Sequence, residues 1–98
     1  MNAVWFISYK LKKGASVPEF LAAQEQCSNE VLSKKPGFVS WQVLNKGDTW
    51  VDFVTWESMD DAVAAEKGDS KHPAAAKFYS FLDFKSMKMQ AYSVERTY

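Results

Sequence analysis

The run Trp50-Val51-Asp52-Phe53-Val54-Thr55-Trp56 has no wet side. Its aromatic and β-branched content marks a strand. In a strand, alternate residues point to opposite faces. One face carries Val51, Phe53 and Thr55; the other carries Trp50, Asp52, Val54 and Trp56. An antiparallel strand with one solvated face shows one apolar and one polar set. Here both sets are largely apolar, so both faces of the sheet need cover. A carboxylate set among tryptophans must also find a cation, a backbone donor or water.

The flanking sequence supplies one of the two covers. AVWFISYKL (3–11) reads as a strand with Trp5, Ile7, Tyr9 and Leu11 on one side. Ser16 and Glu19 have capping-box spacing and Pro18 fits a first turn, so a helix is predicted from about 17 to 35. Val17, Phe20, Leu21, Cys27, Val31 and Leu32 share its apolar face. FVSWQVLN (38–45) is a second strand, and Asn45-Lys46-Gly47-Asp48-Thr49 is a hairpin connection. After the opening strand, Glu57-Ser58 caps a helix over MDDAVAAEK, whose early acids suit the helix dipole, and Gly68 stops it. A further helical piece, PAAAKFYSFLD, starts at Pro73. FKSMKMQAYSVERTY (84–98) reads as a fourth strand.

The order β-α-β-β-α-β is the split βαβ, ferredoxin-like arrangement, an α+β fold with a four-stranded antiparallel sheet. Residues 1–98 form a single domain with no linker or repeat. Both helices lie on one sheet face, and the other face is expected to meet a second copy of the chain.

Several function classes lose support. Twelve Lys and Arg balance twelve Asp and Glu, so no electrostatic footprint for nucleic acid or anionic lipid is present. The element order also matches RNA-recognition domains, but their basic-Gly-aromatic motif is missing. One Cys and one His give no metal-ligand spacing, so no metal is expected. Cys27 and His72 could pair as nucleophile and base only through tertiary folding, and Cys27 on an apolar helix face reads as a small buried hydrophobe. The glycines form no phosphate loop. MNAVWFISYK lacks a signal-peptide pattern and no apolar run approaches membrane-spanning length. The single cysteine is compatible with a reducing compartment. A soluble, cytoplasmic protein is expected.

A pocket is the remaining candidate. Gln24 and Ser28 fall near the middle of the apolar face of the first helix, where polar groups need partners or a cavity. Aromatics make up 15% of the chain, enough to line such a cavity. Trp56, His72, Tyr9, Gln24 and Tyr79 are the residues to test.

Strand, Gly, long helix, Pro36-Gly37-Phe38, strand, hairpin, then VTWESMDDAVAAE and HPAAAKFYSFLD together resemble the antibiotic biosynthesis monooxygenase-type domains of the dimeric α+β barrel superfamily. The resemblance implies a homodimer whose two sheets face one another as a barrel, with a pocket between helices and sheet in each subunit. It implies a cofactor-independent monooxygenase acting on a small aromatic or polyketide-like substrate. Under it, His72 would be the proton acceptor, and Trp56 would share the catalytic site as pocket wall. Tyr9, Phe20, Gln24, Trp56, Phe78 and Tyr79 would bind substrate. Relatives degrade haem with a histidine, an asparagine and a tryptophan. This chain has Ile7-Ser8-Tyr9 where the asparagine would stand, and His72-Pro73 departs from the histidine spacing. A non-catalytic small-molecule-binding dimer is the alternative from another class.

Overall fold

Apolar periodicity and turn chemistry place seven main elements along residues 1–68 and 71–98, the part of the chain that the computed structural model describes. They are β1 (Ala3–Leu11), α1 (Val17–Glu30), β2 (Phe38–Lys46), β3 (Thr49–Trp56), α2 (Met59–Glu66), α3 (Pro73–Tyr79) and β4 (Leu82–Ser93). A short 3-10 turn, Leu32–Lys34, follows α1. The strands form one antiparallel sheet in the order β2-β3-β1-β4. This is the predicted ferredoxin-like α+β architecture, with its second helical region split into α2 and α3.

Helix starts follow the predicted caps. Ser16 accepts from the Glu19 N–H, and Ser58 accepts from the Asp61 N–H. Asp60 and Asp61 occupy the first turn of α2, where a carboxylate meets the positive end of the dipole. In the β2–β3 hairpin, Gly47 takes φ +62 and Asn45 Nδ2 donates to the Gly47 and Thr49 carbonyls. That is a left-handed turn residue with a side-chain brace.

Three boundaries differ from expectation. The first helix stops at Glu30 rather than near 35. Val31 leaves the helical region at φ −121, ψ −70, and Lys35 is already extended before Pro36. The helix from Pro73 ends at Tyr79, where the last turn tightens: the Ser80 N–H also bonds the Lys77 carbonyl, and the Phe81 N–H bonds the Phe78 carbonyl, each three residues back. The last strand therefore starts at Leu82 opposite Leu11 and ends at Ser93 rather than 98. Its pairing with β1 jumps from Ser8↔Lys88 to Lys10↔Asp83, so a bulge of β4 lies opposite Tyr9. Ser86 fastens the bulge by accepting from the Lys10 N–H at 2.8 Å. Bulges of this kind re-aim side chains beside sites.

Register fixes what each face holds. Cross-strand partners share a face, so the helix-facing side runs in rows: Trp41–Val54–Trp5–Ala91, then Val43–Asp52–Ile7–Met89. The opposite side holds Gln42–Phe53–Phe6–Gln90 and Leu44–Val51–Ser8–Lys88. Phe6, Leu44 and Tyr92 are exposed there. Under the helices two buried clusters form. Tyr9, Phe20, Cys27, Phe78 and Leu82 belong to one; Trp5, Val54, Trp56, Ala62 and Ala65 belong to the other.

The buried stripe of α1 is Phe20, Ala23, Gln24 and Cys27. Val17 and Leu21, expected on that stripe, are each 40% exposed. The helix lies on the sheet along its Gln24 side, which turns these two outward.

Candidate functional site

Between the two clusters lies a cavity of about 520 Å³. Its floor is the sheet: Trp5 and Ile7 from β1, Trp41 from β2, Asp52 and Val54 from β3, Met89 from β4. Its roof comes from Cys27 of α1, from Val31 just past that helix, and from Ala75, Phe78 and Tyr79 of α3. Lys35 and the exposed end of α2, Glu66 to Gly68, line it as well. A mostly apolar concavity of this size with few polar groups is the form small-molecule sites take.

Asp52 is the polar centre of the floor. It is 3% exposed, and its side chain points to the helices, not to the open sheet face. The Tyr9 hydroxyl donates to Asp52 Oδ1 at 2.9 Å, and Gln24 Nε2 donates to the same oxygen at 2.8 Å. Gln24 Nε2 also reaches the Tyr9 hydroxyl at 3.3 Å. The polar position on the apolar helix face and the carboxylate among tryptophans thus satisfy each other. Tyr9 and Trp50, paired across β1 and β3, occupy the next row.

Burial dominates the acid–base chemistry. It pushes the Asp52 carboxyl from 3.8 up to about 7, against the opposing hydrogen bonds from Tyr9, Trp41 and Gln24. Burial, the neighbouring Asp52 charge and its hydrogen bond hold the Tyr9 phenol well above its ordinary value, so it stays a donor. Burial also pushes the Cys27 thiol up to about 11, with Asp52 adding to the effect. That thiol is no ready nucleophile. Tyr79 is raised by burial first, then by Cys27 and Asp52.

The indole nitrogens of Trp5, Trp41 and Trp56 are buried without a hydrogen-bond partner among the described residues. The Trp41 N–H comes near enough to Asp52 to favour its charged form, yet outside ordinary hydrogen-bond geometry. Each stranded donor costs about 1–3 kcal/mol. Trp5 and Trp41 line the cavity; Trp56 does not.

The expected site residues divide into three groups. Tyr9 and Gln24 meet at Asp52, behind the cavity wall. Phe78 and Tyr79 line the cavity, while Phe20 stacks on Phe78 outside the lining. Trp56 is fully buried against Trp5 and Phe38, and His72 caps α3, its Nδ1 accepting from the Ala74 N–H at 3.1 Å. Neither Trp56 nor His72 is among the cavity lining. Ser28 belongs to a smaller hollow of about 270 Å³ beside α1, with Leu21, Gln24 and Trp41. The residues missed by sequence reasoning were Asp52, the buried carboxyl of the cavity floor, and Trp5 and Trp41 beside it. The signal for Asp52 was present, a carboxylate in an apolar strand set. Among the described residues no group of three His, Cys, Asp or Glu side chains could hold a metal ion. Among the described residues no helix is long and apolar enough to cross a membrane.

No protein-family model matches the sequence, and no curated protein matches it. Solved structures share the fold. SnoaB, a cofactor-independent oxygenase from Streptomyces nogalater, is similar at TM-score 0.76 and 15% identity, over 98% of this chain and 95% of that one. A candidate antibiotic biosynthesis monooxygenase from Chloroflexus aurantiacus is similar at TM-score 0.69 and 15% identity, over 99% and 97%. A dimeric protein of unknown function with a ferredoxin-like fold, from Bacteroides fragilis, is similar at TM-score 0.59 and 16% identity, over 95% and 96%. At these identities the likeness is one of fold.

Proposed function

We propose that the protein is a cytoplasmic homodimeric oxygenase that needs no cofactor and oxidises a small aromatic, polyketide-like substrate in the cavity over Asp52. The observation that carries this reading is a buried carboxylate, tuned to about 7, on the floor of an apolar cavity. A general base poised near working pH is effective at removing a proton from carbon.

In the proposed reaction Asp52 takes a proton from an acidic C–H of a fused-ring ketone. Both hydrogen bonds from Tyr9 and Gln24 fall on Oδ1, so Oδ2 is the accepting oxygen. The resulting carbanion is electron-rich enough to reduce O₂, and carbon and oxygen join as a peroxide. The Asp52 proton returns to that peroxide, and loss of water leaves a new carbonyl. One substrate CH₂ and one O₂ give one C=O and one H₂O. Trp41, Phe78 and Tyr79 hold the rings, and the apolar walls exclude water. Proton transfer falls to Asp52 instead of His72, whose Nδ1 is engaged in its cap.

The homodimer reading rests on the open sheet face, where Phe6 and Phe53 pack edge to face with Phe6 39% exposed. The dimeric Bacteroides fragilis protein of similar fold supports it. A second reading, a non-catalytic binding dimer, uses the same cavity and is favoured by its mostly apolar lining.

Oxygen uptake with anthrone tests the choice, comparing wild type, Asp52→Asn and His72→Ala. The proposal expects one O₂ consumed per anthraquinone formed, loss of uptake in Asp52→Asn and near-normal rates in His72→Ala. Equal uptake in wild type and Asp52→Asn ends the proposal. Anthrone binding without uptake supports the second reading.

A further inference from the structure

The smaller hollow, between α1 and β2, has a chemistry of its own. Its volume is about 270 Å³, room for one aromatic ring with a short tail where a water takes roughly 30 Å³. Leu21, Trp41 and Val43 make its apolar side, with Leu21 and Val43 exposed. Gln24, Glu25, Ser28 and Asn29 make its polar side. Among the described residues only Trp41 lines both this hollow and the main cavity, so the two are separate spaces with one indole in the wall between them.

The polar side is rich in acceptors, and its innermost group lacks a donor. Gln24 is 3% exposed, and Asp52 Oδ1 and the Tyr9 hydroxyl take its Nε2. Those bonds fix which end of the amide is which. Its Oε1 accepts no hydrogen bond from the described residues, yet it is not among the polar atoms sealed from water. Neither Asp52 nor Tyr9 lines the hollow, so Oε1 is the end of Gln24 that meets it. Glu25, exposed at the rim, adds a carboxylate, and the described lining holds no Lys, Arg or His. The last turn of α1 has no basic side chain either, so the negative end of the helix dipole adds to the same field.

A positively charged donor satisfies such a set. An ammonium offers three N–H groups and accepts nothing. A carboxylate ligand would instead face Glu25 and find no base. We propose that this hollow binds a small organic ammonium ion, a primary amine with an apolar body. Its head meets Gln24 Oε1 and the Glu25 carboxylate, and its body lies against Leu21, Trp41 and Val43. The site does not depend on any reaction in the main cavity. A ligand held there sits one amide group from Asp52, because Gln24 spans the two.

Phenethylammonium, 2-phenylethanol and phenylacetate share one apolar body and differ in the head group. Each is titrated at low salt into protein labelled at its Ile, Leu and Val methyls, followed by proton–carbon NMR. Phenethylammonium is expected to shift the Leu21 and Val43 methyls, with a Kd on the order of 1 mM for so small a ligand. The Ile7 and Val54 methyls of the main cavity should stay in place. The alcohol should bind more weakly and phenylacetate should not bind. Glu25→Gln, a change at an exposed position, should weaken the amine by about two- to fivefold. Leu21→Lys sets a competing ammonium at the rim and should abolish the shift at Val43. No shift with the amine at about ten times the expected Kd overturns the site. Shifts at Ile7 and Val54 instead place the amine in the main cavity and overturn it equally. Equal binding of amine and alcohol, or unchanged affinity in Glu25→Gln, overturns the ammonium as the ligand class.

Discussion

Replacing Asp52 by asparagine should change how stability depends on pH, in a direction opposite to most acidic residues. The folded-state value of Asp52 is raised, from 3.8 to about 7. Between those values the folded chain holds a proton that the unfolded chain has released. Stability therefore falls as pH rises through that window and levels off above about 7. A shift of about three units is worth about 4 kcal/mol at full extent, against a total of roughly 5–15 kcal/mol for a domain. The substituted asparagine would keep an oxygen for Tyr9 and Gln24, but its amide would need an acceptor, a cost of about 1–3 kcal/mol that does not vary with pH. The useful quantity is thus the difference in unfolding free energy between variant and wild type, from urea melts at one fixed protein concentration. All other titrating groups cancel in it. It should move in favour of the variant by about 3 kcal/mol from pH 4.5 to pH 8. A difference that stays flat, or moves the other way, refutes the reasoning that Asp52 is held in a desolvated, proton-hungry setting.

Gly37 has φ +79 and a Cβ there would land on the Asp61 carboxylate, which is bound to Ser58; Gly37→Ala should lower stability by about 2 kcal/mol or more, and an unchanged melting temperature contradicts this. Phe6→Arg puts a charge on the open sheet face, and light scattering should then report the monomer mass where wild type reports twice that; an unaltered dimer mass refutes the assigned interface. Tyr9→Phe removes a hydrogen bond that favours the charged Asp52 carboxylate, so the Asp52 titration followed by carbon NMR should move upward; a downward or absent shift counts against the buried triad.

Much of the fold was legible because its signals are local. The two-sided apolar run at 50–56, the Ser16 and Ser58 caps and the Asn45–Gly47 turn each dictate nearby backbone. Gln24 was legible as a misfit, a polar residue on an apolar helix face. What it bonds to, 28 residues away, was not, because strand register decides that pairing. Register also turns Asp52 towards the helices, and a slip of one residue would have sent it to the open face. The family resemblance made His72 a proton acceptor, yet the local geometry before Pro73 uses it as a cap. Trp56 read as pocket wall, but packing beneath α2 closes around it. The ends of α1 and β4 were misplaced because Val31 and the β4 bulge depart from regular structure for tertiary reasons no short window contains.

The central claim is that Asp52 is the base of a catalytic cavity. The most direct measurement is the pH dependence of kcat/KM for oxygen uptake with anthrone, in wild type and in Asp52→Asn. The account predicts a wild-type rate that climbs with pH and levels off above about 7. It predicts that Asp52→Asn loses that limb and falls by about 10²–10⁴-fold. The same limb in both proteins, or equal rates, would contradict it.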